Sequence, residues 1–151
     1  MLDRDSCMIF EPLILRDSQF QTVHITISNG KVSSIRSVSN ILKALKKLGV
    51  DLKPVICGGS DEWDQEREQW HSGANSFCLA PGQILTYARN VHTLDELDRS
   101  GFSIISAEDV ISGKSALKGR CAVTVAGSEL PRGGGGARCM TMPLSRGKVD
   151  W

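Results

Sequence analysis

The sequence predicts a mixed α/β fold, part of a ring or propeller built from modules of strand, strand, helix and strand. Three observations carry that expectation. An alternating apolar stretch ends at an Asn-Gly turn, an amphipathic helix pattern leads into a short apolar strand, and the same order of elements returns later in the chain. Alternation with period two marks a strand with one buried face, and spacings of three and four mark a helix.

The chain opens on charged Asp3-Arg4-Asp5 and then reads as buried strand through Met8-Ile9-Phe10 and Leu13-Ile14-Leu15, with no leader before it, as a chain starting in mid-fold would. Val23, Ile25 and Ile27 alternate with His24, Thr26 and Ser28, which predicts a half-buried strand. Asn29-Gly30 favours a tight hairpin turn, with Val32 to Ile35 returning. Ser39 is placed to cap a helix with Ile41, Leu42, Leu45 and Leu48 on one face and Lys43, Lys46 and Lys47 on the other. Gly49 ends it, and Leu52 to Cys57 follows as a buried strand stopped by Gly58-Gly59.

The second pass begins with Phe77 to Leu79, turns at Pro81-Gly82 in a type II geometry, and returns through Ile84 to Tyr87. A helix from Thr93 to Arg99 ends at Gly101, and Phe102 to Ile105 closes the unit as a strand. Two such passes, about two modules, that cannot each bury a core alone suggest a ring or propeller. Between them Asp61 to Trp70 is a strongly polar helix capped by Ser60, read as a surface helix docked by Trp63 and Trp70. After Ile105 come a polar loop, a strand at Cys121 to Val125, a glycine-rich stretch, and a short apolar strand from Cys139 to Leu144.

At 151 residues, 40% hydrophobic and 23% charged, the chain is long enough for one domain with a core. Eighteen basic against seventeen acidic residues give a net charge of +1, which argues against nucleic acid or an anionic membrane as partner and for a small molecule. No apolar run approaches the roughly 20 residues that span a bilayer, so the chain reads as cytoplasmic with no membrane partner. Cys7, Cys57, Cys78, Cys121 and Cys139 are odd in number and contain no C-x-x-C pair, which disfavours a disulfide framework and a zinc cage. His24, His71 and His92 are dispersed and read as surface or satisfied histidines, so no metal site is expected. Ser112-Gly113-Lys114-Ser115 matches the end of a phosphate-binding loop, but Glu108 stands where that pattern needs its first glycine, and a solvated loop is the better account.

Gly133 to Gly136 are four consecutive glycines, either a flexible surface loop or a segment whose conformation or close ligand approach requires them. Cys139 follows directly, beside Arg138, whose charge lowers a thiol pKa where it lies near the sulfur.

The run from Ser128 through Pro131, Gly133 to Gly136, Cys139-Met140-Thr141-Met142-Pro143 and Leu144 resembles the C-terminal signature of the arginine deiminases, within the guanidino-group-modifying amidinotransferase superfamily. Glu66-Arg67-Glu68-Gln69-Trp70, Asn75, Pro81-Gly82, Tyr87-Ala88-Arg89-Asn90 and Thr93 are further landmarks in order, so the resemblance runs from about Phe10 to Trp151. It implies a five-fold pseudosymmetric ring of such modules around a central active site, of which residues 1–151 would be the C-terminal part, one partial domain. It also implies that Cys139 attacks the guanidinium carbon of L-arginine, releasing ammonia and then, by hydrolysis, L-citrulline, in arginine catabolism.

The resemblance implies no metal and no organic cofactor. The family's catalytic histidine, glutamate and aspartates fall outside the part matched, so the isolated chain is expected to be inactive. Some members hold the substrate carboxylate with an arginine where this chain has Gly134; backbone amides at Gly135 and Gly136 remain as substrate-binding candidates. The stretch from Ala107 to Val125 is longer than in shorter members and carries no functional assignment. Two alternatives stand beside the enzyme: a non-catalytic assembly or binding module completing a ring with an N-terminal portion or a second copy, and another guanidino-modifying activity.

Overall fold

Ser6, Cys7 and Ile9 are buried in β1 (Ser6–Ile9), which pairs in parallel with β4 (Lys53–Ile56), Ser6 against Lys53 and Ile9 against Ile56. The computed structural model describes residues 1–16, 20–145 and 147–148; Trp151, at the end of the resembling stretch, lies outside them. The strand expected at Leu13-Ile14-Leu15 is instead the short helix α1 (Glu11–Ile14). Pro12, with no amide and a fixed φ, suits a first helical turn, and the Leu15 amide closes that turn on the Glu11 carbonyl at 3.0 Å.

β2 (Thr22–Ser28) and β3 (Lys31–Val38) form the expected antiparallel hairpin. Asn29 (φ 51°) and Gly30 (φ 73°) supply the two left-handed residues of a tight turn whose twist matches the strands. The burial is the reverse of that expected. Val23, Ile25, Ile27, Val32 and Ile35 are 48 to 67% exposed, while His24 and Thr26 take the partly covered side. Alternation shows which residues share a face, but a second layer must lie against that face to bury it, and this hairpin is a two-stranded sheet by itself.

Helix α2 (Ile41–Lys47) is capped by Asn40, not Ser39: the Asn40 side chain accepts from the Lys43 amide at 2.8 Å. Leu42 and Leu45 pack with Ile14, Leu15 and Ile56 on buried Cys7, Ile9 and Leu52, whereas Ile41 and Leu48 of the expected apolar face are exposed. Helix α3 (Glu62–Trp70) is capped by Asp61, not Ser60, through bonds from the Trp63 and Asp64 amides. Its two indoles do not dock. Trp63 and Trp70 are 80% and 78% exposed, and the face turned inward carries Gln65 and Glu68, 0% and 1% exposed.

The second pass is built as β5 (Phe77–Ala80), β6 (Gln83–Tyr87), α4 (Val91–Arg99) and β7 (Ser103–Ser106), with α5 (Ala107–Ile111) inside the expected polar loop and β8 (Cys121–Val125) after it. Gly82, at φ 76°, occupies the turn position that a type II geometry demands. The four strands lie in the order β5-β6-β8-β7, with β5 and β6 antiparallel and β8 parallel to both its neighbours. The stretch from Ala107 to Val125 therefore supplies a central strand. Ile84, Ala122, Leu97 and Phe102 pack there with Leu2 and Val55 as the main core. Asp3 accepts from Arg120 at 2.8 Å, Asp5 pairs with the same guanidinium, and Arg120 lies 5.6 Å over the Phe102 ring.

Both passes of strand, strand, helix, strand thus exist in sequence order, but only the second has its strands in one sheet. The result is a mixed α/β fold in which no sheet closes on itself among the described residues. Among those residues no helix is long and apolar enough to cross a membrane.

Candidate functional site

A buried carboxyl organises the ground beneath the site. Helix α4 begins at Asn90 without a side-chain cap of its own. Glu68 of α3 supplies one from a distance, accepting from the His92 amide at 3.0 Å, the Thr93 amide at 2.8 Å and the Thr93 hydroxyl at 2.6 Å. A carboxyl at a helix N-terminus satisfies orphan amides and meets the positive end of the dipole. The Thr93 hydroxyl accepts in turn from the Gly58 amide at 2.9 Å and lies 3.6 Å from the Cys57 sulfur. Burial pushes the Cys57 thiol up to about 11, which marks it as an inert core thiol.

From this hub the chain turns sharply toward the glycine loop. The Glu68 carbonyl accepts from the Gly73 amide at 2.8 Å, Ser72 takes a positive φ of 60°, and the Asn75 amide closes on the Ser72 carbonyl at 3.0 Å. A side chain at Gly73 would meet the Cys57 sulfur at 2.6 Å and the Glu68 carbonyl at 2.9 Å. Asn75 therefore leaves a turn with little room to shift.

Cys139 sits on the other side of this contact. Its sulfur accepts from the Asn75 side-chain amide at 2.8 Å, and its own amide donates to the Gly136 carbonyl at 3.1 Å. The strand expected from Cys139 to Leu144 does not form. The Thr141 amide and hydroxyl both donate to the Arg138 carbonyl, at 3.1 and 2.8 Å, and Pro143 has no amide for a ladder. This reverse turn leaves Met140, Met142 and Leu144 exposed and puts the sulfur at the surface.

The Asn75 hydrogen bond holds the Cys139 thiol below the usual range, helped by the Gly136 backbone and, least, by the charge of Arg138; desolvation opposes them. In Cys7, Cys57, Cys78 and Cys121 burial raises the thiol instead. Of these described cysteines Cys139 is the one whose surroundings favour the thiolate. Arg138, singled out from its neighbouring position, contributes less than Asn75, which lies far away in sequence.

Tyr87, at the end of β6, supports the loop from beneath. Its hydroxyl donates to the Gly135 carbonyl at 3.3 Å and lies 3.8 Å from the Met140 sulfur. Burial first, and then the Cys139 charge, raises its pKa, so it remains a donor. Gly127 has no room for a Cβ, which would lie 2.4 Å from the Tyr87 ring. Gly136 is packed as closely, and a Cβ there would lie 2.5 and 2.6 Å from Asn75 Cβ and Cγ and 2.8 Å from Nδ2. Gly134 takes a left-handed φ of 85°, while Gly135 lies beside the Cys139 Cβ. The run is thus divided: Gly133 and Gly134 are exposed with open space around them, whereas Gly135 and Gly136 pack against Cys139 and Asn75. Gly136→Ala is expected to expel Asn75, cost about 1–3 kcal/mol by overpacking, and slow alkylation of Cys139 at neutral pH; thermal unfolding and iodoacetamide kinetics check both.

The structure brings Cys139, Gly135 and Gly136 together but brings no histidine to them. His71 ends α3, its carbonyl accepting from Asn90 at 3.1 Å, and burial followed by the Arg89 and Arg67 charges lowers its pKa. His92 lies within α4, 3.5 Å from Asp64, and His24 lies on the hairpin. Among the described residues no cluster of three or more His, Cys, Asp or Glu side chains could hold a metal. Lys114 and Ser115 lie on an exposed turn tied to Asp109, as a solvated loop would. Glu68, Asn75, Tyr87 and Thr93 are the residues whose roles motif reading missed, although all four stand among the resembling positions.

The arginine deiminase family model matches residues 1–146. The arginine deiminase of Rhodococcus jostii is 34% identical over 147 residues, covering 97% of this chain and 31% of that protein. That of Clostridium perfringens is 36% identical over 115 residues, 76% of this chain and 23% of its own length. That of Listeria innocua is 43% identical over 100 residues, 66% of this chain and 20% of its own. The chain spans less than a third of each of these relatives. With the match running from the first residue through the cysteine loop, the chain belongs to the arginine deiminase family.

Proposed function

We propose that this chain supplies the nucleophilic part of an arginine deiminase, hydrolysing L-arginine to L-citrulline and ammonia in arginine catabolism in the cytoplasm. The observation that carries the reading is the exposed, lowered Cys139 thiol on a loop bonded to Asn75 and Tyr87, in a chain that matches the family over residues 1–146. The Cys139 thiolate forms a bond to the guanidinium carbon. One proton is delivered to an amine, ammonia leaves, and an amidino-thioether cation remains. Water then adds, two protons leave, the carbon–sulfur bond breaks, and the thiolate returns with L-citrulline. Splitting one hard substitution into two easier ones is what a covalent nucleophile provides, and no metal or organic cofactor enters.

Gly135 lies beside the Cys139 Cβ and the Gly136 carbonyl accepts the Cys139 amide, which supports a reading in which, with glycine at Gly134, the Gly135 and Gly136 amides contribute to holding the substrate carboxylate. No general base stands among the groups hydrogen-bonded to Cys139 in the described residues, so the proton transfers rest with groups outside this chain. Residues 1–151 therefore act as the C-terminal part of a catalytic ring of repeated modules, inactive alone. The exposed apolar face of Val23, Ile25, Ile27, Val32 and Ile35 favours association with an N-terminal portion or a second copy, and gives weight to a pure assembly module as the second reading.

The test is citrulline release from L-arginine by the chain alone and by the chain mixed with the N-terminal portion of a family member such as that of Rhodococcus jostii. Silence alone and turnover on mixing is the expected pair. A stable mixed complex with no turnover would favour the assembly reading, and turnover by the chain alone would overturn the need for outside residues.

A further inference from the structure

We infer that Asn75 is a further catalytic residue: its side-chain amide holds the Cys139 sulfur as a thiolate before attack and receives it again when the carbon–sulfur bond breaks. The inference rests on the proposed role of Cys139. Its own warrant is geometric. The amide nitrogen lies 2.8 Å from the sulfur, and among the described residues it donates to nothing else. Amide-to-sulfur contacts are ordinarily longer, because sulfur is large and a neutral thiol is a weak acceptor; a short one favours the charged form.

Two independent features hold the amide at this distance. From one side, Gly136 is packed so closely on Asn75 that no side chain fits between them. From the other, the Ser72 and Gly73 amides are bonded to the Gln69 and Glu68 carbonyls, Gly73 is walled by the Cys57 sulfur, and the Asn75 amide is bonded back to the Ser72 carbonyl, which ties the Asn75 backbone to this turn. The Tyr87 hydroxyl ties down the neighbouring Gly135 carbonyl. A residue serving only to fill space would not need a donor aimed at the reacting atom.

The two steps use this donor in opposite senses. During attack the sulfur gives up its charge to a new carbon bond, and the hydrogen bond weakens. On hydrolysis the carbon–sulfur electron pair returns to sulfur, and the amide stabilises the leaving thiolate without itself gaining or losing a proton. The donor raises the thiolate fraction while making each thiolate less nucleophilic, because nucleophilicity falls with pKa. Its removal should therefore act in opposite directions at neutral and at alkaline pH.

The experiment is the pH profile of iodoacetamide alkylation at Cys139 in the complete chain, resolved by peptide mass spectrometry, for wild type, Asn75→Ala and Asn75→Asp. Cys78, exposed and raised by burial, serves as reference in the same tube. Asn75→Ala is expected to move the Cys139 midpoint upward, slow alkylation at neutral pH by roughly threefold, and raise the alkaline plateau. Asn75→Asp, nearly the same shape with the donor replaced by a carboxylate, should move the midpoint further, with the Cys78 profile unchanged in both. A structural role alone would change accessibility and shift rates by one factor at every pH. Midpoints that stay or fall in both folded variants overturn the inference. Alkylation needs no arginine, so this outcome is separable from failure of the deiminase reading, which the citrulline assay decides.

Discussion

Cys139→Ala is expected to reduce citrulline formation by the complemented protein at least about a thousandfold, since removing the nucleophile leaves no covalent route. The loss should come without a loss of fold. Cys139 is exposed and its contacts are a turn bond through its backbone and one side-chain bond, and surface substitutions of that kind stay within roughly 0.5 kcal/mol. Cys139→Ser should be nearly as inactive, because an alcohol is not ionised at neutral pH by a hydrogen bond of this sort. Cys78→Ala, at the other exposed thiol, should retain activity. A Cys139→Ala protein that unfolds would shift the meaning of the loop from chemistry to stability; paired activity and thermal-unfolding measurements separate the two.

Glu68→Ala should be the most destabilising single change among those considered, by on the order of 4 kcal/mol. It removes the acceptor of two α4 amides and one hydroxyl in a position only 1% exposed, and leaves a cavity beside three orphaned donors. That is a large fraction of the ~5–15 kcal/mol that stabilises a typical domain. Glu68→Gln keeps the volume and one good acceptor but turns an amide toward a donor, so a loss of about half that size is expected. Urea unfolding of the three proteins measures it. Because the same residue's backbone anchors the turn that carries Asn75, Cys139 should also alkylate more slowly in the variants that remain folded. A change below ~1 kcal/mol for Glu68→Ala would show that α4 is held by its apolar contacts alone.

Much of the local structure was legible because local chemistry dictates it. Asn29-Gly30 and Pro81-Gly82 demand left-handed backbone and therefore turns, and both are found. The element order of both passes follows from periodicity in the same way. What failed is what depends on distant partners. The apolar side of the first hairpin was legible as a side, but not as uncovered, since no residue in it encodes whether another layer arrives.

In α3 hydrophobicity pointed to the tryptophans, whereas the buried residues are Gln65 and Glu68, whose partners lie in other segments: the Gly59 carbonyl for Gln65, the amides of α4 for Glu68. The site divides along the same line. Cys139 and its glycines could be read from a contiguous motif, but Asn75, 64 positions away, acquires its meaning only when the fold sets its amide on the sulfur. The apolar run after Cys139 reads as strand, yet Pro143 and the turn bonds to Arg138 make it an exposed loop.

The covalent bond at Cys139 can be observed directly by quenching the complemented protein in acid while it turns over L-arginine and weighing its peptides. The expected result is a mass gain equal to arginine less ammonia on the peptide containing Cys139, decaying as substrate is exhausted and absent from Cys139→Ala. Turnover that persists in Cys139→Ala, or an adduct carried by any other residue, would contradict Cys139 as the nucleophile.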